Sequence, residues 1–197
     1  MNNFDIDARH DPLLADYERA RDLLPTPDWR RGLDEMERLA HAGSIMSILH
    51  VSDAMRWGWG YEQDLPGAEA WYKVAIESGS ARGLYGLGFT YRLMGRFSEA
   101  IQNFEAAIAR DYSPAYNLLA CMHFEGQGVP VDKQRARELW RKGASLGHLP
   151  ANLNLLHKSF HGHYGFWARI GALLNFLPVA METSIVKVTN RYTDRLR

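Results

Sequence analysis

Small and apolar residues recur along the chain at helical spacing, in units of two helices. The first helix of one unit carries a face of small and apolar residues, namely Gly83, Leu87, Gly88 and Tyr91. After a turn that contains glycine, the second helix carries alanine, an aromatic residue and alanine again, at Ala100, Phe104 and Ala107. Small residues let helices approach closely, and the ring fills the space between pairs. Such a pair cannot bury its apolar face alone, so the pattern predicts a stack of pairs.

The unit returns along the chain in a constant register. Ala115 and Leu119 match Ala151 and Leu155 at an offset of 36 residues. We therefore expect an all-α protein, a right-handed α-α superhelix (solenoid) of about four stacked helix pairs with terminal capping helices. The expected segments are a flexible N-terminus at 1–10, a helical stack at 11–183 with repeats at 43–78, 79–110, 111–146 and 147–183, and a C-terminal capping tail at 184–197.

Two glycines separated by one residue, Gly126 and Gly128, lie between the helices of the third unit. Such a pair also occurs in loops that bind phosphate. No Gly-Lys-Ser/Thr follows it and no strand pattern precedes it, so the sequence does not support a nucleotide site. Glycine permits positive φ at a helix C-terminus, and the pattern therefore indicates a turn between two helices.

Capping signals mark the predicted start of the stack. Asp11 and Thr26 are each followed by proline, which is typical of a helix N-terminus. The helix after Asp11 is predicted to cap the stack, and the helix after Thr26 to be the second helix of an incomplete unit. At the other end the pattern decays, and Pro178 predicts a break near Phe176 in the last helix.

Two stretches carry the signature residues of known repeat families. We identify a resemblance to the Sel-one-like repeat in AYNLLACMHFEGQGVPVDKQRARELWRKGASLGH, although Ala120 and His123 stand where that family prefers glycine and tyrosine. The stretch from Gly83 to Ala115 resembles a tetratricopeptide repeat. The two families share their architecture. The resemblance implies an α-solenoid that acts as an interaction scaffold or adaptor, and it implies no catalytic chemistry.

Composition narrows the classes of partner. The 197 residues carry 23 basic and 23 acidic side chains, so no net charge draws the chain to nucleic acid. Cys121 is the only cysteine, which excludes an internal disulfide and a zinc finger built on cysteines. The first residues lack the features of a secretory signal, and a cytoplasmic location is expected. Arg169 and Glu182 interrupt the most apolar stretch, so membrane insertion is not expected.

One histidine cluster is a candidate metal site. His157 and His161 could share a helical face, and His163 lies two residues further on; imidazoles at this spacing suit Zn or Ni. Lys158 stands where the zinc-protease pattern requires glutamate, and the cluster can simply end a repeat helix and its turn. No hydrolase, zinc-protease or kinase motif occurs. We therefore expect no catalysis, no cofactor and no resident metal.

The first helix of each pair is expected to line the concave face of the stack. The side chains predicted to form a partner-binding groove there are Asp53, Arg56, Arg82, Tyr85, Phe89, Arg92, Asn117, Phe124 and His157. Aromatic residues beside arginines are typical of hot spots, and arginine can bind a carboxylate. Tyr85 and Phe89 could instead only pack against neighbouring helices. Trp57 and Trp59 flank the first turn as either a second contact site or core, and the core interpretation is favoured.

The leading hypothesis is a non-catalytic adaptor that binds a protein or peptide, and a cognate inhibitor such as an immunity protein is a specialised form of it. Two alternatives stay open. In one, the apolar segment 166–188 docks on a membrane instead of closing the stack. In the other, the histidine cluster of residues 157–163 makes a metal-dependent enzyme. The sequence does not identify the partner, the pathway or the oligomeric state.

Overall fold

A computed structural model describes residues 4–160 and 163–164, with the backbone alone at residues 4–6 and 160. The described residues form ten helices and no strand. Their bounds are Phe4–Arg9 (α1), Leu14–Leu23 (α2), Trp29–His41 (α3), Ile45–Trp57 (α4), Leu65–Glu77 (α5), Ala81–Leu93 (α6), Phe97–Ala109 (α7), Pro114–Glu125 (α8), Lys133–Ser145 (α9) and Leu149–Phe160 (α10). The expectation of an all-α solenoid is confirmed.

The helices form two layers. Each helix from α2 to α10 contacts the next one along the chain, and the first helices α2, α4, α6, α8 and α10 also contact one another in that order. The second helices α3, α5, α7 and α9 form the other layer. The first helices therefore form the layer on which the concave side is predicted.

The core repeats an aromatic residue between small residues on each second helix. Tyr72, Phe104 and Trp140 occupy equivalent places on α5, α7 and α9, and each is 0–1% exposed. Glycines on α6 let two of these rings approach. A Cβ on Gly86 would lie 2.2 Å from Tyr72 Cε1, and one on Gly88 would lie 2.8 Å from Phe104 Cε1. The small residues are therefore required by close helix contact.

The paired glycines are turns, as the sequence predicts. Gly126 ends α8 with a φ of 75°, and Gly128 follows with a φ of 74°. The chain then returns through a backbone hydrogen bond of 2.8 Å from the Asp132 N–H to the His123 carbonyl. The Asp132 carboxylate caps α9 by accepting from the Arg135 N–H. All of these backbone groups serve the helix-to-helix connection.

The N-terminal region differs from the sequence prediction. Residues Phe4–Arg9 form helix α1, where a flexible segment was expected. Asp11 does not cap α2, which begins at Leu14 without a side-chain cap. One carboxylate oxygen of Asp11 accepts from the Leu13 N–H at 2.8 Å in the turn before α2, and the other binds the start of α4, as described below. Helix α2 contacts both α3 and α4, so it takes the place of a first helix and completes the unit that was expected to be incomplete.

Helix α3 also begins later than predicted. Its N-cap position is Asp28, without a side-chain cap hydrogen bond. The Thr26 hydroxyl donates to the Leu23 carbonyl at 2.6 Å and so closes the preceding turn. The same oxygen accepts from the Asp28 N–H at 3.2 Å, so Thr26 binds the turn just before α3 instead of standing at its N-cap position.

The C-terminal predictions fall outside the described residues. This holds for the second helix of the unit 147–183, the break near Phe176, the tail 184–197 and the apolar segment 166–188. Among the helices that the structure describes, none combines the length and the apolar character needed to cross a bilayer.

Candidate interaction surface

A charge network centred on Asp53 lies in the layer of first helices, where it links the repeat α4–α5 to the repeat α6–α7. The Asp53 carboxylate accepts hydrogen bonds from Arg56, from the Tyr72 hydroxyl at 2.5 Å and from Arg82 at 2.7 Å. These residues come from α4, α5 and α6, so the network ties three successive helices together. Burial raises the pKa of Tyr72 well above its usual value, and the Asp53 charge adds to the rise. The hydroxyl therefore stays a donor.

Arg56 supports this surface from within. The residue is only 6% exposed, and its guanidinium donates to the Gly86 carbonyl at 3.2 Å. It lies 4.9 Å from the ring centre of Phe89 and 5.1 Å from that of Trp57. The structure thus places this predicted groove residue under the aromatic rings, where a partner would not reach it directly.

Tyr85 and Phe89 are half-buried. The sequence left open whether they contact a partner or only pack against neighbouring helices, and their burial lies between these two interpretations. The Tyr85 ring packs against Tyr112 at a centroid distance of 5.3 Å, and Phe89 packs against Trp57 at 5.3 Å. Burial raises the pKa of Tyr85, and it raises that of Tyr112 to about 12. Both phenols are therefore neutral over the physiological range. The rings pack against their neighbours and keep part of their surface accessible.

Arg92 connects the repeat α6–α7 to the repeat α8–α9. Its guanidinium donates to Gln127 Oε1 at 2.6 Å and to Glu125 Oε2 at 3.2 Å. Together with Arg56 and Arg82, all three predicted groove arginines donate to acidic or amide groups of the chain itself. A carboxylate of a partner would have to compete with these intrachain acceptors for the arginines.

Asn117 and Phe124 extend the surface along α8. Asn117 Oδ1 accepts from Trp140 Nε1 at 3.0 Å and from Asn154 Nδ2 at 2.8 Å, which ties α8 to α9 and α10. The half-buried Phe124 ring has Lys158 Nζ at 4.4 Å from its centre. The His163 ring meets Phe124 edge-on at 5.2 Å. This end of the surface therefore combines an aromatic face with positive charge.

The histidine cluster is only partly within the described residues. His157 is exposed on α10, His163 contacts Phe124 as described above, and His161 lies outside the described residues. In the part of the chain that the structure describes, no three His, Cys, Asp or Glu side chains are placed to hold a metal ion. Burial raises the pKa of the Cys121 thiol, so its reactive thiolate form is disfavoured.

Trp57 and Trp59 are exposed, and the core interpretation is wrong. They are 41% and 63% exposed, and their rings stack on each other at a centroid distance of 6.2 Å. The physical reason is the turn. Gly58 ends α4 in a left-handed conformation, so the chain leaves the helix layer at this point. The next glycine approaches the neighbouring pair instead, since a Cβ on Gly60 would lie 2.2 Å from Leu33 Cδ1.

The sequence did not predict the contact between the N-terminal segment and the first helices. The Asp7 carboxylate accepts from the Ser80 hydroxyl at 3.0 Å, and the Asp11 carboxylate accepts from the Ser44 hydroxyl at 2.8 Å. Ser44 and Ser80 lie 36 residues apart and are the N-caps of α4 and α6. The repeat register could have identified both serines, but no local pattern indicates that a carboxylate meets them.

Family models match three consecutive segments of the chain. The Sel1 repeat model matches residues 49–80 and 113–148, and the tetratricopeptide repeat model matches residues 81–114. Their order along the chain is the one expected from the sequence, and together they span just over half of it. No curated protein matches the sequence significantly.

Several solved structures share the fold. A Sel1 repeat protein from Oxalobacter formigenes has a TM-score of 0.71 at 17% identity, over 86% of this chain and 73% of the other. A putative sel1 repeat protein from Klebsiella pneumoniae subsp. pneumoniae has a TM-score of 0.59 at 20% identity, over 93% of this chain and 94% of the other. A protective antigen present in uropathogenic Escherichia coli strains, which displays an SLR fold, has a TM-score of 0.55 at 25% identity, over 66% of this chain and 29% of the antigen. With both repeat models matched in sequence and the fold shared with these structures, the chain belongs to the Sel1-like and tetratricopeptide class of helical-repeat proteins.

Proposed function

We propose that this protein is a non-catalytic adaptor that binds a protein or peptide on the concave side of its stack. Repeats of the Sel1 and tetratricopeptide families generally mediate protein–protein interaction. The observation that carries the proposal is a row of half-buried aromatic side chains on successive first helices: Tyr85 and Phe89 on α6 and Phe124 on α8. Their rings are held in place and partly accessible, as expected of binding hot spots.

The surface around these rings is held rigid before any partner arrives. Asp53, Arg56 and Arg82 join α4 to α6, and Arg92 joins α6 to the turn after α8. A preorganised surface loses little side-chain entropy on binding, so more of the contact energy contributes to affinity. The formal net charge of zero favours a protein partner over nucleic acid. A cognate inhibitor would be one specialised form of this adaptor.

Site-specific photo-cross-linking in the native host tests the proposal. A photoreactive amino acid is placed at Phe89 on the concave side, and the matched control carries it at Val74, which is 41% exposed on the second-helix layer. We expect a discrete cross-linked protein with the Phe89 probe and none with the Val74 probe. Mass spectrometry then identifies the partner.

Binding of that recombinant partner supplies the quantitative test. We expect Phe89→Ala to weaken the Kd about tenfold, which corresponds to about 1.4 kcal/mol, and Val74→Ala to leave it unchanged. Cross-linking at Val74 without cross-linking at Phe89, or full affinity in Phe89→Ala, would place the binding surface elsewhere. The exposed pair Trp57 and Trp59 would then be the next surface to test.

A further inference from the structure

Two carboxylates of the N-terminal segment meet equivalent points of two successive repeats. Asp11 accepts from the Ser44 hydroxyl at 2.8 Å and from the Met46 N–H at 2.7 Å, at the start of α4. Asp7 accepts from the Ser80 hydroxyl at 3.0 Å, at the start of α6. One short segment thus makes the same kind of contact with two repeats.

Both contacts are made at the N-terminus of a helix. A helix N-terminus carries a partial positive charge and N–H groups without partners inside the helix. Ser44 and Ser80 each cap their own helix, by accepting from the N–H groups of Ser47 and Gly83. The same hydroxyls donate outward to Asp11 and Asp7. Each serine therefore links the N-terminus of its helix to a carboxylate by two hydrogen bonds, one that it accepts and one that it donates.

The arginines of the neighbouring groove also attract a negative charge to this place. Arg56 and Arg82 share a single carboxylate, that of Asp53. Asp7 supplies a second negative charge at the edge of this cluster. Burial raises the pKa of Asp7, and the Ser80 hydrogen bond and the Arg82 charge both oppose the rise.

The described side chains of the segment divide between buried and exposed positions. Helix α1 has six residues and contacts α4. Asp7 and Asp11 are only 6% and 7% exposed, and Ala8 packs against the core, while Arg9 and His10 are exposed. A peptide that carries two carboxylates at this spacing would compete for the same hydroxyl and N–H groups.

We infer that residues 4–11 are a built-in acidic ligand of the stack. The surface beneath them, formed by Ser44, Ser80 and Arg82, takes an acidic peptide whose two carboxylates lie four residues apart. The inference deepens the proposed function, because a partner at this margin of the concave side must present such carboxylates and displace α1. Until a partner displaces α1, the chain's own N-terminal segment occupies this surface.

A labelled peptide of residues 1–13 of this sequence tests the inference by fluorescence anisotropy. The protein is the full chain, either unchanged or with Asp7→Asn and Asp11→Asn together. We expect the peptide to bind the double variant at least tenfold more tightly than the unchanged chain, where the surface is occupied. Asp22→Asn, which removes an exposed carboxylate from the end of α2, is the matched control and should bind as the unchanged chain does.

A peptide that carries asparagine at both positions shows whether the carboxylates are recognised. It should bind the double variant at least tenfold more weakly than the natural peptide. Equal binding of the two peptides, or equal binding of the natural peptide to the double variant and the unchanged chain, would overturn the inference. Because no outside partner is used, this failure would leave the cross-linking test of the proposed function unaffected.

Asp11 also stabilises the start of α4, so the double variant could lose stability. Hydrogen exchange on the single variant Asp7→Asn therefore provides a second measurement, in which Asp11 still binds Met46. We expect exchange at the α1 amides to be at least tenfold faster than in the unchanged chain, with no change at the α6 amides. Unchanged protection of α1 would overturn the inference, because Asp7 would then not hold the segment.

Discussion

A methyl group added to Gly86 would lie 2.2 Å from Cε1 of Tyr72. Gly86 is buried on the first helix α6, and Tyr72 is 1% exposed on the second helix α5. The same ring donates its hydroxyl to Asp53 on α4. This one aromatic residue therefore sets the distance between two helices and also fixes the charge network of the concave side.

Gly86→Ala should destabilise the protein. Overpacking against a buried ring costs about 1–3 kcal/mol, and the better helix propensity of alanine returns about 1 kcal/mol. We expect the free energy of unfolding to fall by up to about 2 kcal/mol in urea denaturation. In the background Tyr72→Leu the ring edge is gone, so the same substitution should cost less. A cost that is equal in both backgrounds would show that the ring does not limit the helix distance.

Ala100→Trp and Ala136→Trp should each lower the free energy of unfolding by more than about 2 kcal/mol through overpacking. Both alanines are fully buried between helices. For a chain of this size the loss corresponds to a melting temperature lower by at least about 4 °C. Ala70→Trp on the exposed side of α5 is the control and should melt close to the unchanged protein. Unchanged melting of both core variants would mean that the packing face is misassigned.

Gly79→Ala and Asp111→Gly should act in opposite directions. Gly79 has a φ of 90°, and a Cβ there would meet no atom within 4 Å, so only backbone strain opposes alanine. Asp111 takes the corresponding place in the next turn with a φ of 59°, as the one described residue other than glycine with positive φ. We expect a loss of about 1 kcal/mol in Gly79→Ala and a gain of about 0.5 kcal/mol in Asp111→Gly, measured by urea denaturation. Changes of the same sign would show that something other than φ governs these turns.

Stability should fall between pH 7.5 and pH 5.5. Burial lowers the pKa values of His50 and His148 below their usual value of 6.5. Below pH 6.5 the unfolded chain binds protons that the folded protein does not, so acid favours unfolding. The double variant with His50→Gln and His148→Gln should lose less of its free energy of unfolding over this interval. An equal pH dependence of the double variant and the unchanged protein would contradict the prediction.

Trp59→Ala should leave the fold nearly unchanged. The residue is 63% exposed and lies on a turn, so we expect a change in the free energy of unfolding of less than about 0.5 kcal/mol. Trp140→Ala is the contrasting variant, because that ring is fully buried and should cost about 3–5 kcal/mol. A large loss in Trp59→Ala would mean that this side chain belongs to the core after all.

Much of the fold could be predicted because each unit repeats a local pattern. The alternation of small and aromatic residues, the turn glycines Gly126 and Gly128 and the cap at Asp132 all act within one helix pair. Local chemistry decides such features, so they are visible in the sequence. No local pattern shows the second role of Asp11: its Oδ1 accepts from the Leu13 N–H in the turn before α2, while its Oδ2 accepts from the Met46 N–H of α4, 35 residues away in the chain.

The sequence alone determined the helix pairs, their register and the kind of residue on each face, since these depend on spacing and on backbone preference. Only the tertiary structure decided which of those side chains a partner can reach. It buried Arg56 beneath aromatic rings, exposed Trp57 and Trp59 on either side of the left-handed Gly58, and brought Asp7 to Ser80. Accessibility and ion pairing depend on residues that are distant in the chain and close in space, and no local pattern records those distances.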